Sequence, residues 1–135
     1  MLTDAGVLVG LLDKRDPNFA ACSRAATQLP NAPLLTTYPC FTEAMYMLGK
    51  VGGYSYQNSL WGLRRSGRLL ILELTEVETD RMDALMKTYQ DVPMDLADAS
   101  LVAIAESRAF RRIFTIDDDF YFYRLLDGSV LDVVR

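Results

Sequence analysis

Apolar residues recur along the chain with two periods. Short β-branched or continuous apolar runs, LLTTYP at 34–39, LLILEL at 69–74 and RRIFTI at 111–116, read as strands. Met1 to Thr3 supply only the end of a first strand, and VLDVV at 130–134 an edge-like last one. Between them lie stretches of helical length or spacing: Ala5 to Asp13, Phe19 to Gln28, a helix opening near Thr42, Tyr54 to Ser66, Glu76 to Tyr89 and MDLADASLVAIAESRAF at 94–110. Asp16-Pro17-Asn18, Pro30, Pro33, Gly67 and Pro93 punctuate the pattern, and Gly52-Gly53 is expected to end one helix before the next begins. LLILEL, with no polar position until Glu73, is expected to be a buried parallel strand. Strands alternating with helices at this length predict an α/β fold with a parallel sheet covered on both faces, in one domain spanning residues 1–135.

In such sheets sites form beyond the C-terminal ends of the strands. Asp4 follows strand one, Glu43 lies past strand two at its helix start, and Asp117 follows RRIFTI, while Asp98 lies in the first turn of the helix preceding that strand. Four carboxylates from distant segments are therefore expected on one rim. Asp119 is a further ligand or outer acceptor, Asp95 a weaker candidate, and Asp118 points elsewhere on its turn. Taken singly, each acid has an ordinary role. Asp4 and Asp95 suit helix N-caps, Asp95 with Asp98 has capping-box spacing, Glu43 suits a helix surface and DDD a polar turn. Only the joint arrangement points to chemistry: clustered carboxylates bind divalent cations that serve phosphodiester hydrolysis.

Composition narrows that chemistry. The chain of 135 residues has no histidine, which excludes serine–histidine triads, cysteine–histidine pairs and imidazole metal ligands. Oxygen donors alone favour Mg2+ or Mn2+ over zinc. Cys22 and Cys40 lack metal or redox spacing and read as buried thiols. The formal charge of −4 argues against a polyanionic partner, but the average hides a split. With six of the 18 acids around cations, 12 would face 14 bases. No apolar run reaches membrane-spanning length and the N-terminus lacks the basic start of a signal peptide, so a cytoplasmic protein is expected.

The stretches TDAGVLVGLLDKRDPN, TTYPCFTEAMYML, DLADASLVAIAE and IFTIDDDF together resemble the PIN domain family, in particular the short VapC-type toxins of toxin–antitoxin pairs. They follow the family's order from Thr3 to Phe120. The resemblance implies a three-layer α/β/α sandwich with a central, mainly parallel sheet of four to five strands. It also implies an Mg2+- or Mn2+-dependent ribonuclease with Asp4, Glu43, Asp98 and Asp117 at the family's acidic positions. Asp119 matches a further acid of many members and Asp95 one found in a subset. Water would attack an RNA phosphodiester, leaving a 3′-hydroxyl and a 5′-phosphate. A small antitoxin and a homodimer are the implied partners. Two departures stand out: only Met1 to Thr3 precede Asp4, and Phe19 occupies a place where relatives often carry histidine.

For RNA contact the sequence nominates Arg64, Arg65 and Arg68, with an ordinary helix-dipole role as the alternative. Arg111 and Arg112 precede their strand and so belong on the opposite side from the acids. Thr115, two residues before Asp117, is a candidate for substrate contact or for a hydrogen bond to a ligand carboxylate. Tyr54, Tyr56 and Trp61 have helical spacing and are expected to pack in the core. Two rivals remain. A catalytically silent PIN-like module would bind RNA or protein without cutting. An aspartate-dependent phosphotransfer or receiver-like domain would use Asp117 and Asp119, but little chain follows them and no lysine lies after a late strand.

Overall fold

A computed structural model describes residues 1–135. Five strands, β1 (Leu2–Thr3), β2 (Leu34–Thr37), β3 (Leu69–Leu72), β4 (Arg112–Phe114) and β5 (Asp132–Val134), form one sheet in the order β3-β2-β1-β4-β5. Every pairing is parallel, with Leu2 opposite both Leu35 and Ile113. Five helices connect or flank them: α1 (Ala5–Leu12), α2 (Phe19–Thr27), α3 (Tyr38–Arg65), α4 (Glu76–Thr88) and α5 (Leu96–Arg108). From β1 the chain first winds outward to β2 and β3, then returns to place β4 on the other side of β1. The order reverses between β1 and β4, which is the switch point where open α/β sheets leave a crevice.

Alternating strand residues divide the core. Ile113 joins a large apolar cluster with Leu48 and Leu60 of α3, Leu85 of α4 and Leu101 and Ile104 of α5. Its neighbour Phe114 faces the other way, onto Val7 of α1 and Cys22 and Ala25 of α2. Both cysteines are buried thiols. No helix is long and apolar enough to cross a membrane.

Four local expectations need correction. The helix after β2 starts at Tyr38, well before Thr42, because Thr37 caps it: its hydroxyl accepts the Cys40 N–H, and Pro39 occupies the first turn, where a missing N–H is harmless. Glu43 consequently sits in the second turn. Gly52-Gly53 kinks this helix without ending it. Gly53 takes φ of 66°, and a Cβ on Gly52 would lie 2.2 Å from the Tyr56 ring, so glycine allows the ring to fold back on the bend. LLILEL is an outer strand, with Leu70 exposed, because β3 has a neighbour on one side only. Tyr56 packs against the core and Trp61 stands edge-on to Phe41, but Tyr54 is exposed.

Candidate metal centre

Asp4 ends β1 and N-caps α1: its backbone N–H donates to the Phe114 carbonyl while its Oδ1 accepts the Ala5 N–H at 2.7 Å. Asp117 lies just beyond β4 and caps a single 3-10 turn, Asp118–Tyr121, accepting the Asp119 N–H at 2.9 Å. Thr115 joins the two. Its hydroxyl donates to Asp4 Oδ2 at 3.0 Å and accepts the Asp117 N–H at 3.0 Å, so one buried side chain fixes acids from both sides of the switch point.

The third acid comes from α5. Asp95 and Asp98 form a reciprocal capping box, Asp95 accepting the Asp98 N–H at 2.8 Å and Asp98 accepting the Asp95 N–H at 3.4 Å. Asp98 also accepts the Tyr123 hydroxyl at 3.3 Å, on the same Oδ2 that takes the Asp95 N–H. The capping reading and the site reading are thus both true of the same residues. One carboxylate oxygen from each of Asp4, Asp98 and Asp117 lies within 4.8 Å of the others.

No arginine or lysine is paired with any of these carboxylates. Burial, then the charges of Asp95 and Asp4, pushes Asp98 up to about 8. Burial likewise lifts Asp4 to about 6, against the hydrogen bonds from Thr115 and Ala5. Glu43 is raised by burial and by the fields of Asp95, Asp4 and Asp117, which puts it at the edge of the cluster. Asp119 is raised by burial and by Asp117 and Asp118. Charges crowded without a cation repel, and a divalent ion among them would remove the conflict. The donor set fits one: all oxygen, no nitrogen or sulfur, half-buried and mutually oriented.

The remaining nominees separate cleanly. Asp118 points away, exposed, and pairs with Arg135. Arg64 and Arg65 lie in the last turn of α3 and Arg68 immediately precedes β3, on the N-terminal edge of the parallel sheet and opposite the acids. Arg65 bonds Asn58 and Arg68 bonds Ser66. The structure does not bring these three to the cluster. Arg111 and Arg112 share that far edge, Arg111 pairing with Asp127. One contributor was missed in the sequence. Tyr123 gave no local signal, since only the fold turns its hydroxyl toward Asp98. Arg135 follows β5 on the acid edge but pairs with Asp118, outside the cluster.

The PIN domain family model matches residues 1–125. No curated protein sequence matches the chain. Among solved structures, the chain is similar to Mycobacterium tuberculosis VapC20, described as a sarcin-ricin loop cleaving toxin, with a TM-score of 0.85, 13% identity and coverage of 99% of this chain and 98% of that one. It is also similar to VapBC2 from Rickettsia felis bound to a promoter DNA fragment, with a TM-score of 0.66, 14% identity and coverage of 99% and 98%. A toxin–antitoxin complex from Klebsiella pneumoniae gives a TM-score of 0.65 at 20% identity, with coverage of 88% of each chain. At these identities the likeness is one of fold.

Proposed function

We propose that this chain, which belongs to the PIN domain family, is a divalent-cation-dependent ribonuclease and the toxin of a toxin–antitoxin pair. The observation that carries the reading is the convergence of Asp4, Asp98 and Asp117 at the switch point with no basic partner. A bound Mg2+ or Mn2+ would supply an activated water and charge neutralisation at a phosphodiester. Asp4, Asp98 and Asp117 would hold it, with Glu43, Asp95 and Asp119 at the margin. Thr115 orients Asp4 and Asp117, and Tyr123 orients Asp98. Without a cation, burial and like charge favour a proton on Asp98, a form that donates where a ligand must accept. Thr115 spends its hydroxyl on aligning carboxylates, which supports a positioning role over substrate contact.

The neighbours with antitoxin bound support a small protein partner, and the same reading extends to a homodimer working in the cytoplasm. The decisive test incubates purified protein with an RNA pool in Mn2+, Mg2+ or EDTA. Cleavage leaving 5′-phosphates is expected with either ion and not in EDTA. Asp98→Asn and Asp117→Asn should each slow it by more than about 100-fold, since even changes outside the first ring of ligands cost 10–100-fold. RNA cut equally by both variants, or no cutting under any condition, would sink the reading.

A further inference from the structure

A cleft of about 660 Å3 opens beside the cluster, between the beginnings of α3 and α5, bordered by Tyr38, Glu43, Tyr46, Asp95 and Leu96. Its aromatic wall is unusual for a helix surface. Tyr46 is 66% exposed and Tyr38 51% exposed, and Leu96 across the cleft is 53% exposed. Tyr38 meets the Phe41 ring edge-on, at a centroid distance of 6.4 Å. Lys50, one turn beyond Tyr46, holds its ammonium 5.4 Å from the centre of the Tyr46 ring.

These residues are ordered. Glu43, Tyr46 and Lys50 are three and four positions apart, so they form one stripe along α3. Glu43 and Asp95 line the same cleft, and Asp95 shares its capping box with Asp98, which sets the stripe's first residue beside the cluster. Moving outward, the stripe presents acid, aromatic ring and ammonium. A single strand of RNA presents phosphate, base and phosphate. A phosphate held over the acids by a cation would have its neighbouring base at Tyr46 and its next phosphate within reach of Lys50. A duplex cannot use this wall, because its bases are stacked inward. Arg64, Arg65, Arg68, Arg111 and Arg112 lie at the opposite edge of the sheet, and Arg135 on the acid edge is paired with Asp118, which leaves stacking and Lys50 as the attractive elements of this cleft.

We infer that Tyr46, with Tyr38 beside it, stacks an unpaired base of single-stranded RNA next to the phosphate to be cut, and that Lys50 contacts the following phosphate. This rests on the ribonuclease reading for its substrate class and adds to it a choice of strand and of subsite.

The test measures binding of a fluorescent uridine dodecamer and of a blunt RNA duplex by anisotropy in Ca2+, which takes the same carboxylate oxygens but is a weaker Lewis acid than Mn2+, so that a cation is kept at the acids while turnover is slowed. Adding Tyr46→Ala should weaken dodecamer binding about 10-fold and leave the duplex unchanged, while Tyr46→Phe keeps the ring and should stay within about twofold. Lys50→Gln should lower the salt slope for the dodecamer by about one. Equal binding of the dodecamer with and without Tyr46→Ala overturns the inference and leaves the face to a protein partner. Loss of duplex and dodecamer binding together also overturns it. Cleavage by the otherwise wild-type protein is scored separately. If RNA is cut and Tyr46→Ala changes nothing, the inference falls and the ribonuclease stands. Ring-dependent binding without cutting by the wild type upholds the stacking site and removes the nuclease.

Discussion

The two ends of α5 each carry a buried acid, and the protein treats them in opposite ways. At the C-terminal end, Glu78 of α4 is 3% exposed and receives Arg108 through Nε at 3.0 Å and a second nitrogen at 3.0 Å, together with the Ser107 hydroxyl and the Thr75 N–H. Its carboxyl is held down at about 2, chiefly by Arg108. At the N-terminal end, Asp98 is 6% exposed, lacks any cation, and is driven up to about 8. Burial alone therefore does not distinguish the two. The difference is neutralisation: the network at Glu78 is complete within the chain, whereas no basic side chain pairs with the cluster at Asp98. The first has the arrangement of a structural ion pair, and the second is the proposed cation site.

The largest effect that would sharpen this contrast comes from the completed end. Glu78→Ala leaves Arg108 without its partner and removes the capping box of α4, so urea unfolding should show a loss of about 3 kcal/mol. The response to Mn2+ should be unchanged. A variant that lost its Mn2+ response as well would show that the two ends are coupled through α5 and break the separation.

Next in size is the response to the ion itself. At a Mn2+ concentration 100 times Kd the wild type should gain about 2.7 kcal/mol by thermal unfolding, and Asp98→Asn much less. Stabilisation of both proteins alike would place the ion elsewhere.

A somewhat smaller effect of opposite sign is expected without metal. Asp98 binds its proton more tightly folded than unfolded, so between its ordinary 3.8 and about 8 the folded chain carries more protons and stability falls as pH rises. Asp98→Asn in EDTA at pH 8 should therefore be more stable than wild type, by about 2 kcal/mol. Glu78 gives the other arm. Its folded value lies below its ordinary 4.5, so its contribution is present above that pH and disappears as pH falls towards 2. Metal-free stability should thus be greatest near pH 4, between the ordinary values of the two groups, with Glu78→Gln flattening the acid arm and Asp98→Asn the alkaline one. Asp4, raised to about 6, leaves a residual fall below that pH, and an alkaline arm above pH 6 that persists in Asp98→Asn would assign it to other groups.

How much of this was legible before the fold follows from the range of each interaction. Most of the helices and the grouping of Asp4, Asp98 and Asp117 could be read, the Asp95–Asp98 cap from local spacing and the acids from their places after the apolar runs of the strands or in the first turn of a helix. The start of α3 was misplaced because one cap, Thr37, outweighed the apparent strand character of TTYP. The exposure of LLILEL depends on which strand lies outside, and apolarity alone does not encode strand order. Tyr123 and the opposing position of Arg64, Arg65 and Arg68 depend on tertiary placement, which a charge pattern along the sequence does not contain.

The smallest expected effect returns to the completed end of α5. Ala109 closes that helix in the left-handed conformation, with φ of 57°, where its Cβ crowds the backbone and glycine is the usual choice. Removing the Cβ relieves about 1–2 kcal/mol of strain and adds up to about 1 kcal/mol of unfolded-chain entropy, so Ala109→Gly should gain about 0.5 kcal/mol in urea unfolding. Because Ala109 lies next to Arg108 and a full helix length from Asp98, this gain should be the same with Mn2+ and with EDTA. A gain that depended on the ion would mean that cation binding at one end of α5 alters the backbone at the other, and the two ends could no longer be treated as independent.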